Sequence, residues 1–461
     1  MTKDMTIGKP WKLILGFMIP VCLGSIFQNF YNIVDSMIVG RFLGVDALAA
    51  VGSTGSIHFL VMGWVSGITS GFGIQLSQAF GANDEKRLKH YTAMSVYLCI
   101  VIAVLMTVGL LTANTFILNW MNTPEQIFKD TAKYIGIIYA GLPVTILYNM
   151  LAAIARSLGD SKTPLYFLIL SSVLNIALDL LFVAVLPCGV AGAAYATVLA
   201  QAVSAVLCLL YVWRKFPMIH YSAKDARIKM HSIYNLLAMG IPMGLQFSIT
   251  AVGTMIVQAS LNTLGSVYIA AYSATMKIQN IVITVYPSLG AAIATYSGQN
   301  YGAGKFERIN KGVNACIVME VIYSLFIMAL SWSVFPMGVQ IFAKDPTGEL
   351  QMIASQMFRI SMWFFIPLGI IFIYRNVLQG LGNGFVPMLG GIFELIARAL
   401  VIKLIFDRLQ FTAICISDPA AWVSALIPLI PYYYWFINKL KKSGRLFTLE
   451  EKADTLKGNT E

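Results

Sequence analysis

Twelve apolar segments follow one another along this chain, at roughly residues 13–39, 53–78, 91–113, 132–155, 164–186, 190–213, 233–261, 267–297, 312–335, 351–379, 387–407 and 419–438. Each is about 20 residues or longer, the length a helix needs to cross the hydrocarbon core of a bilayer. Turn-like clusters separate them: Gly81-Ala82-Asn83-Asp84, Gly159-Asp160-Ser161, Gly302-Ala303-Gly304 and Gly382-Asn383-Gly384. Charged residues make up 11% of the 461 residues, against about 25% in a soluble domain. So few charges cannot coat a globule of this size, which excludes a soluble enzyme, a disordered chain and a fibrous protein. The fold expected is an all-α polytopic membrane protein with twelve transmembrane helices. Pro20, Pro143, Pro242, Pro287 and Pro367 fall inside apolar segments, where proline is tolerated and tends to kink the helix. The first segment is too long for a signal-peptide core and has no small-residue cleavage site, so it reads as the first span.

The position of the basic residues orients the spans. Twenty-two Lys and Arg fall in the segments on the N-terminal side of the membrane; Arg41, Lys129, Lys133, Lys344 and Arg408 fall opposite. The positive-inside rule then places both termini in the cytoplasm, of a protein expected in the plasma membrane, and requires an even number of spans. The net charge of +11 is accounted for by topology and gives no reason to expect nucleic acid.

The chain repeats itself. Gln78-Ala79-Phe80-Gly81-Ala82 returns 221 residues later as Gln299-Asn300-Tyr301-Gly302-Ala303, each before a basic stretch. Leu158-Gly159-Asp160 with Pro164 returns 223 later as Leu381-Gly382-Asn383 with Pro387, and Pro20 returns 222 later as Pro242. Three alignments at nearly one offset are hard to obtain by chance. They divide the chain into six-helix halves, residues 1–222 and 223–461. Six is even, so both halves enter from the same side as parallel repeats, expected as N and C lobes around a central cavity.

Ionisable side chains inside a bilayer are expensive and mark function by default. Asp35 shares one helical face with Gln28 and Asn32, and Asp179 shares one with Asn175. Counting from the outer ends of their spans, marked by Arg41, Pro187 and Val190, Asp35, Asp179 and Thr197 each lie roughly 10 Å deep at about 1.5 Å per residue. A single membrane acid is explained by capping or bonding a neighbouring helix. Two acids at matching depth with an amide and a hydroxyl suit a hard cation such as Na⁺, or a shared proton. Asp35, Asn175, Asp179 and Thr197 are therefore the expected coupling site for Na⁺ or H⁺, and Gln28 and Asn32 the expected substrate contacts. The repeat sharpens this: Asp35 maps to Val257 or Gln258 and Asp179 to residues 401–402, so the second half lacks both acids.

Other features are less telling. Glu394 and Arg398 are spaced to neutralise each other along one helix, while Lys277, Arg359 and Glu320 have no partner nearby in sequence. The 22 methionines and the aromatic residues suit packing and lipid contact as well as a pocket for apolar cations, and Tyr432-Tyr433-Tyr434-Trp435 reads as an interfacial anchor. Four of six cysteines lie in apolar runs; Cys188 and Cys415 fall in two short loops on the outer side, where a disulfide is possible. The histidines show no metal spacing, and no Walker loop or nucleophile motif occurs, so neither an enzyme nor an ATP-driven pump is expected, and no cofactor.

The sequence resembles the MATE family of multidrug and toxic compound extrusion transporters, in the wider group that includes lipid-linked oligosaccharide flippases. The resemblance spans essentially the whole chain. It rests on Asn32-Ile33-Val34-Asp35, the stretch Leu43 to Gly52, Gln78 to Ala82, Arg156-Ser157-Leu158-Gly159-Asp160, Asn175 with Asp179, Gly189 to Thr197, and Gln299 to Gly304. It is nearest to the DinF/MepA-like branch. It implies export of organic, often cationic, compounds in exchange for Na⁺ or H⁺, with Asp35, Asn175 and Asp179 as the coupling site and Thr197 and Gln28 at matching positions. Some branches carry coupling acids in the second half, but no acid occurs here between Ser232 and Pro287. Small organic cations and the bilayer are the expected partners, and a monomer the expected state. The alternative is a flippase for a large anionic lipid-linked or polysaccharide substrate, with Lys277, Arg359 and Arg398 lining its path. A major-facilitator transporter also has twelve helices, but the loop Gly81 to His90 lacks that family's Asp-Arg-x-Gly pattern.

Overall fold

The computed structural model describes residues 4–186, 188–342 and 348–457. Lys3, Pro187 and Lys344, used above for orientation and depth, lie outside the described residues. Those described form helices without strands: α1 (Pro10–Leu43), α2 (Val45–Ser53), α3 (Gly55–Gly81), α4 (Glu85–Trp120), α5 (Glu125–Ala140), α6 (Leu142–Ser157), α7 (Lys162–Asp179), α8 (Val190–Lys215), α9 (Met230–Asn262), α10 (Ser266–Ile283), α11 (Val285–Gly302), α12 (Phe306–Phe342), α13 (Glu349–Met362), α14 (Phe365–Gly380), α15 (Phe385–Leu409) and α16 (Phe411–Lys457). Ten runs among the described residues are long and apolar enough to span, and two bent pairs bring the number to 12 when each pair is one span. With no water in hydrocarbon, helices satisfy their own backbone groups, so an all-helical chain is the expected outcome.

The bends fall at matching places in the two halves. α5 and α6 meet at 46° beside Pro143, and α13 and α14 at 49° beside Pro367. The proline ring removes a backbone donor and clashes with the preceding turn, which breaks each span there. Pro20 and Pro242, by contrast, sit inside continuous helices. The repeated Leu-Gly-Asp/Asn motif also acquires a physical reason. Gly159 and Gly382 adopt φ of 84° and 87° and end α6 and α14, where a left-handed residue lets the chain turn back onto the last carbonyls. Asp160 N–H bonds Ala155 O and Asn383 N–H bonds Leu378 O. The side chain at each position then starts the next helix: Asp160 accepts from the backbone of Lys162 and Thr163, Asn383 from that of Val386.

The chain forms two compact units. The first holds residues 16–80 and 84–251; the second holds 4–15, 81–83 and 252 onward. In the first, Leu76, Phe72, Met94, Ile154 and Cys208 form one buried cluster, and Val39, Ile135, Tyr139 and Ala194 another. α3 lies against the N-terminal part of α9 at backbone contact. A methyl on Gly67 would sit 2.6 Å from Met243 O, and one on Gly71 2.6 Å from Gly240 Cα. This spacing of glycines lets membrane helices approach where no hydrophobic force drives them together. Away from these contacts the unit is apolar outside, with Leu105, Phe116 and Trp120 exposed, as a lipid-facing surface requires.

In the second unit two expectations are corrected. Cys415 is not in a loop: it is buried within α16, which begins at Phe411, and it is free, as is exposed Cys188. Asp418, just before Pro419, is accommodated inside the helix because its carboxylate accepts from Arg398 Nε at 2.9 Å. The aromatic run is only partly an anchor. Tyr434 and Trp435 are exposed, whereas Tyr433 is buried and donates to Asn310 Oδ1 at 2.6 Å.

Gly71→Ala should lower stability by about 1–3 kcal/mol, the usual range for overpacking. Gly109→Ala, where a methyl meets open space, should leave it unchanged or slightly raised. Thermal unfolding of the purified variants checks the contrast.

Candidate functional site

α1 carries Asp35 and α7 ends on Asp179, which is fully buried. Immediately after it, Leu180–Val185 wind as a π-helix, a wide turn that recurs at functional sites. The Asp35 and Asp179 carboxyls are hydrogen-bonded to one another. Two carboxylates this close repel unless a proton or a cation lies between them. Tyr31 and Tyr134 stand within Coulombic reach of both. One turn before Asp179, Asn175 is buried and donates from Nδ2 to Thr197 Oγ1 at 3.3 Å. The Thr197 hydroxyl donates to Ala193 O at 3.1 Å, which leaves its lone pairs to receive Asn175.

The four residues expected to form the coupling site thus fall into a carboxyl pair and an amide–hydroxyl pair, joined through one turn of α7. Their donor set is oxygen-rich, and Asp35 Oδ1 is buried with no hydrogen-bond partner among the described residues. An orphaned buried carboxylate oxygen beside a second carboxyl fits an alkali cation or a proton. Among the described residues no three His, Cys, Asp or Glu side chains converge, as a transition metal would need.

Beside this group the first unit encloses a cavity of about 280 Å³. Gln28 and Tyr31 of α1, Asn149 and Arg156 of α6, Asn175 of α7 and Thr197 and Gln201 of α8 line it. Gln28 therefore borders the cavity. Asn32, the other expected substrate contact, is exposed and is not among the lining residues. Tyr31, Tyr134, Asn149 and Gln201 were not singled out in the sequence, and Arg156 was named there only within a motif. Two of them were reachable by helical spacing: Tyr31 follows Gln28 by three residues and precedes Asp35 by four, and Gln201 follows Thr197 by four. Gln201 Oε1 accepts from Thr145 Oγ1 at 2.7 Å, and Asn149 Nδ2 donates to Thr145 O at 2.9 Å. These bonds hold the polar wall in place.

In the second unit the Glu394–Arg398 pair expands into a buried network. Glu394 also accepts from Arg375, and Arg398 also reaches Asp418. Arg375 and Asp418 lie one span before and one after Glu394 and Arg398, so local spacing could not reveal them. Glu320 accepts from Ser324 Oγ at 2.7 Å, and Ser324 in turn bonds the Tyr286 hydroxyl. Arg359 stacks over the Trp332 ring at 5.0 Å. Gln258, one of the two positions matching Asp35, bonds Asn262 on its own helix.

Thr197→Val removes the acceptor of the Asn175 bond and should lower stability by about 1 kcal/mol, while Thr197→Ser should retain it; thermal unfolding distinguishes them. Glu394→Gln leaves buried guanidinium charge uncompensated and should destabilise by about 3–5 kcal/mol, read as loss of folded protein on heating.

Comparison with known proteins places these features. The MatE family matches at residues 20–181 and again at 242–404, two stretches whose starts are 222 residues apart. The probable multidrug resistance protein YoeA of Bacillus subtilis is 29% identical over 446 residues, covering 95% of this chain and 96% of that protein. The multidrug export protein MepA of Staphylococcus haemolyticus is 23% identical over 374 residues, covering 81% and 82%. A crystal structure of MATE in complex with MaL6 shares the fold, with a TM-score of 0.88 at 22% identity over 96% of this chain and 100% of the other. The chain belongs to the MATE family of transporters.

Proposed function

We propose that this protein is a multidrug efflux transporter working as a secondary antiporter, exporting organic cationic amphiphiles in exchange for Na⁺ or H⁺. The relatives named for multidrug resistance and export support the first part. The observation that carries the second is the hydrogen-bonded pair Asp35–Asp179 next to a polar cavity. A cation or proton entering from outside relieves the repulsion of the two carboxyls. Asn175 and Thr197 hold the wall shared by that pair and the cavity, so occupancy of the pair and of the cavity are linked through one turn of α7. The same ion leaving to the cytoplasm restores the repulsion and resets the cycle. Each net positive charge that enters down a membrane potential supplies about 2.3 kcal/mol per 100 mV, so a singly charged cation exported one-for-one is driven by the concentration gradient of the ion. The count of basic residues orients both termini to the cytoplasm, which makes the plasma membrane the site of action.

Everted membrane vesicles given a cationic dye in the external medium, with Na⁺ or H⁺ higher in the lumen, provide the test. Asp35→Asn and Asp179→Asn should each reduce gradient-driven transport by about tenfold or more, the scale of losing a tuned ionisable group. Undiminished gradient-driven transport in both variants would remove the coupling role from this pair.

A further inference from the structure

The cavity of the first unit has an unexpected polarity for a chamber that takes cations. Its lining includes serines, amides and tyrosines, no carboxylate, and a single charged side chain, Arg156. Arg156 lies in the last turn of α6. Among the described residues its guanidinium makes neither an ion pair nor a hydrogen bond. The nearest acid in sequence, Asp160, is committed elsewhere: its oxygens accept from Lys162 N at 3.1 Å, Thr163 N at 3.0 Å and Thr163 Oγ1 at 2.6 Å. Tyr148 lies within Coulombic reach of Arg156, but its hydroxyl donates to Pro164 O at 3.0 Å. A guanidinium has no acceptor capacity and five donors in a fixed fork. Left without a protein partner in a half-buried chamber, it is set to receive an oxyanion.

We infer that Arg156 is an anion-recognition subsite, and that the cargo of this cavity is an amphiphile carrying an acidic oxygen group, a carboxylate or a phosphate, as well as its cationic centre. This rests on the export reading above and narrows its substrate class. The lining runs from Ser161 and Pro164 at the start of α7 to Asn175 near its end, about 15 to 20 Å along the helix axis. The acidic group binds the fork at the Arg156 end. The cationic centre lies toward Asn175, one turn from Asp179, with the Tyr31 ring and the amide oxygen of Gln28 along the way. Arginine suits this role better than lysine because a planar carboxylate or phosphate meets two parallel N–H donors.

Two sources share this chemistry, the carboxylate of a small amphiphile and the phosphate of a lipid headgroup, and the test has an arm for each. Purified full-length protein in detergent micelles is titrated with a rhodamine bearing a free carboxylate and with its methyl ester. In the second arm, dihexanoyl phosphatidic acid and dihexanoylglycerol compete against the ester. The wild type should bind the free acid about tenfold more tightly than the ester, the scale of one charge-assisted bidentate contact. Arg156→Gln should bring that ratio to about one, and Arg156→Lys should keep part of it. A preference for phosphatidic acid alone, lost in Arg156→Gln, supports the subsite and identifies its ligand as a lipid phosphate. Equal affinities within both pairs in the wild type, which requires no variant to fold, would overturn the inference, as would a preference unchanged by Arg156→Gln. Because the readout is binding, that failure leaves the export reading standing. Absence of gradient-driven export of both the free acid and the ester by the wild type would strike the export reading alone.

Discussion

Two carboxyl groups held at hydrogen-bond distance inside a helix bundle are the constraint on which the account of this transporter depends. In water their repulsion would be screened; among packed helices it is not. Asp35 comes from the first span and Asp179 from the end of the fifth, so their meeting is a property of tertiary structure. What stands around them follows from that contact. The two phenols of Tyr31 and Tyr134 are within electrostatic reach, a π-helix follows Asp179, and Asn175 one turn earlier is tied to Thr197. The carboxyl pair and the cavity wall at Asn175 are therefore one helical turn apart.

The fold was largely legible because the bilayer allows so few solutions. Long apolar segments announced the spans, and of the five prolines expected to kink them Pro143 and Pro367 stand beside the two bends while Pro20 and Pro242 sit in continuous helices. The repeated Leu-Gly-Asp/Asn motif marked the places where a left-handed glycine ends one helix and a side-chain cap opens the next. What misled was local chemistry overruled by distant partners. The last apolar segment, counted from 419, starts earlier as a helix at Phe411, and Arg398 from the preceding span supplies the counter-charge that Asp418 needs there. Tyr433 looked interfacial until Asn310 gave its hydroxyl a buried acceptor.

Legibility of the candidate site divides along the same line. Depth counting brings Asp35, Asp179 and Thr197 to one level and helical spacing puts Asn175 on the face of Asp179, because both measures depend only on the fixed geometry of a helix. They cannot say which side chains close a cavity, since that depends on how helices rotate about their own axes. Asn32 shares a face with Asp35 by spacing yet lies outside the cavity lining, whereas Arg156, quoted in the sequence only as part of a motif, lines it. The second unit shows the contrasting use of buried charge. Arg375, Glu394, Arg398 and Asp418 neutralise one another, an arrangement suited to fixing helix register, while the first unit brings the acids Asp35 and Asp179 against each other.

The central claim is that cargo leaves only when a cation takes its place at the carboxyl pair. The most direct measurement reconstitutes the wild-type protein in proteoliposomes and imposes Na⁺ and pH gradients separately while dye flux is followed. The account predicts that dye moves against its own gradient when at least one of the two ion gradients opposes it, and stops when that gradient is collapsed. Dye flux of equal rate and extent with neither gradient present would contradict it.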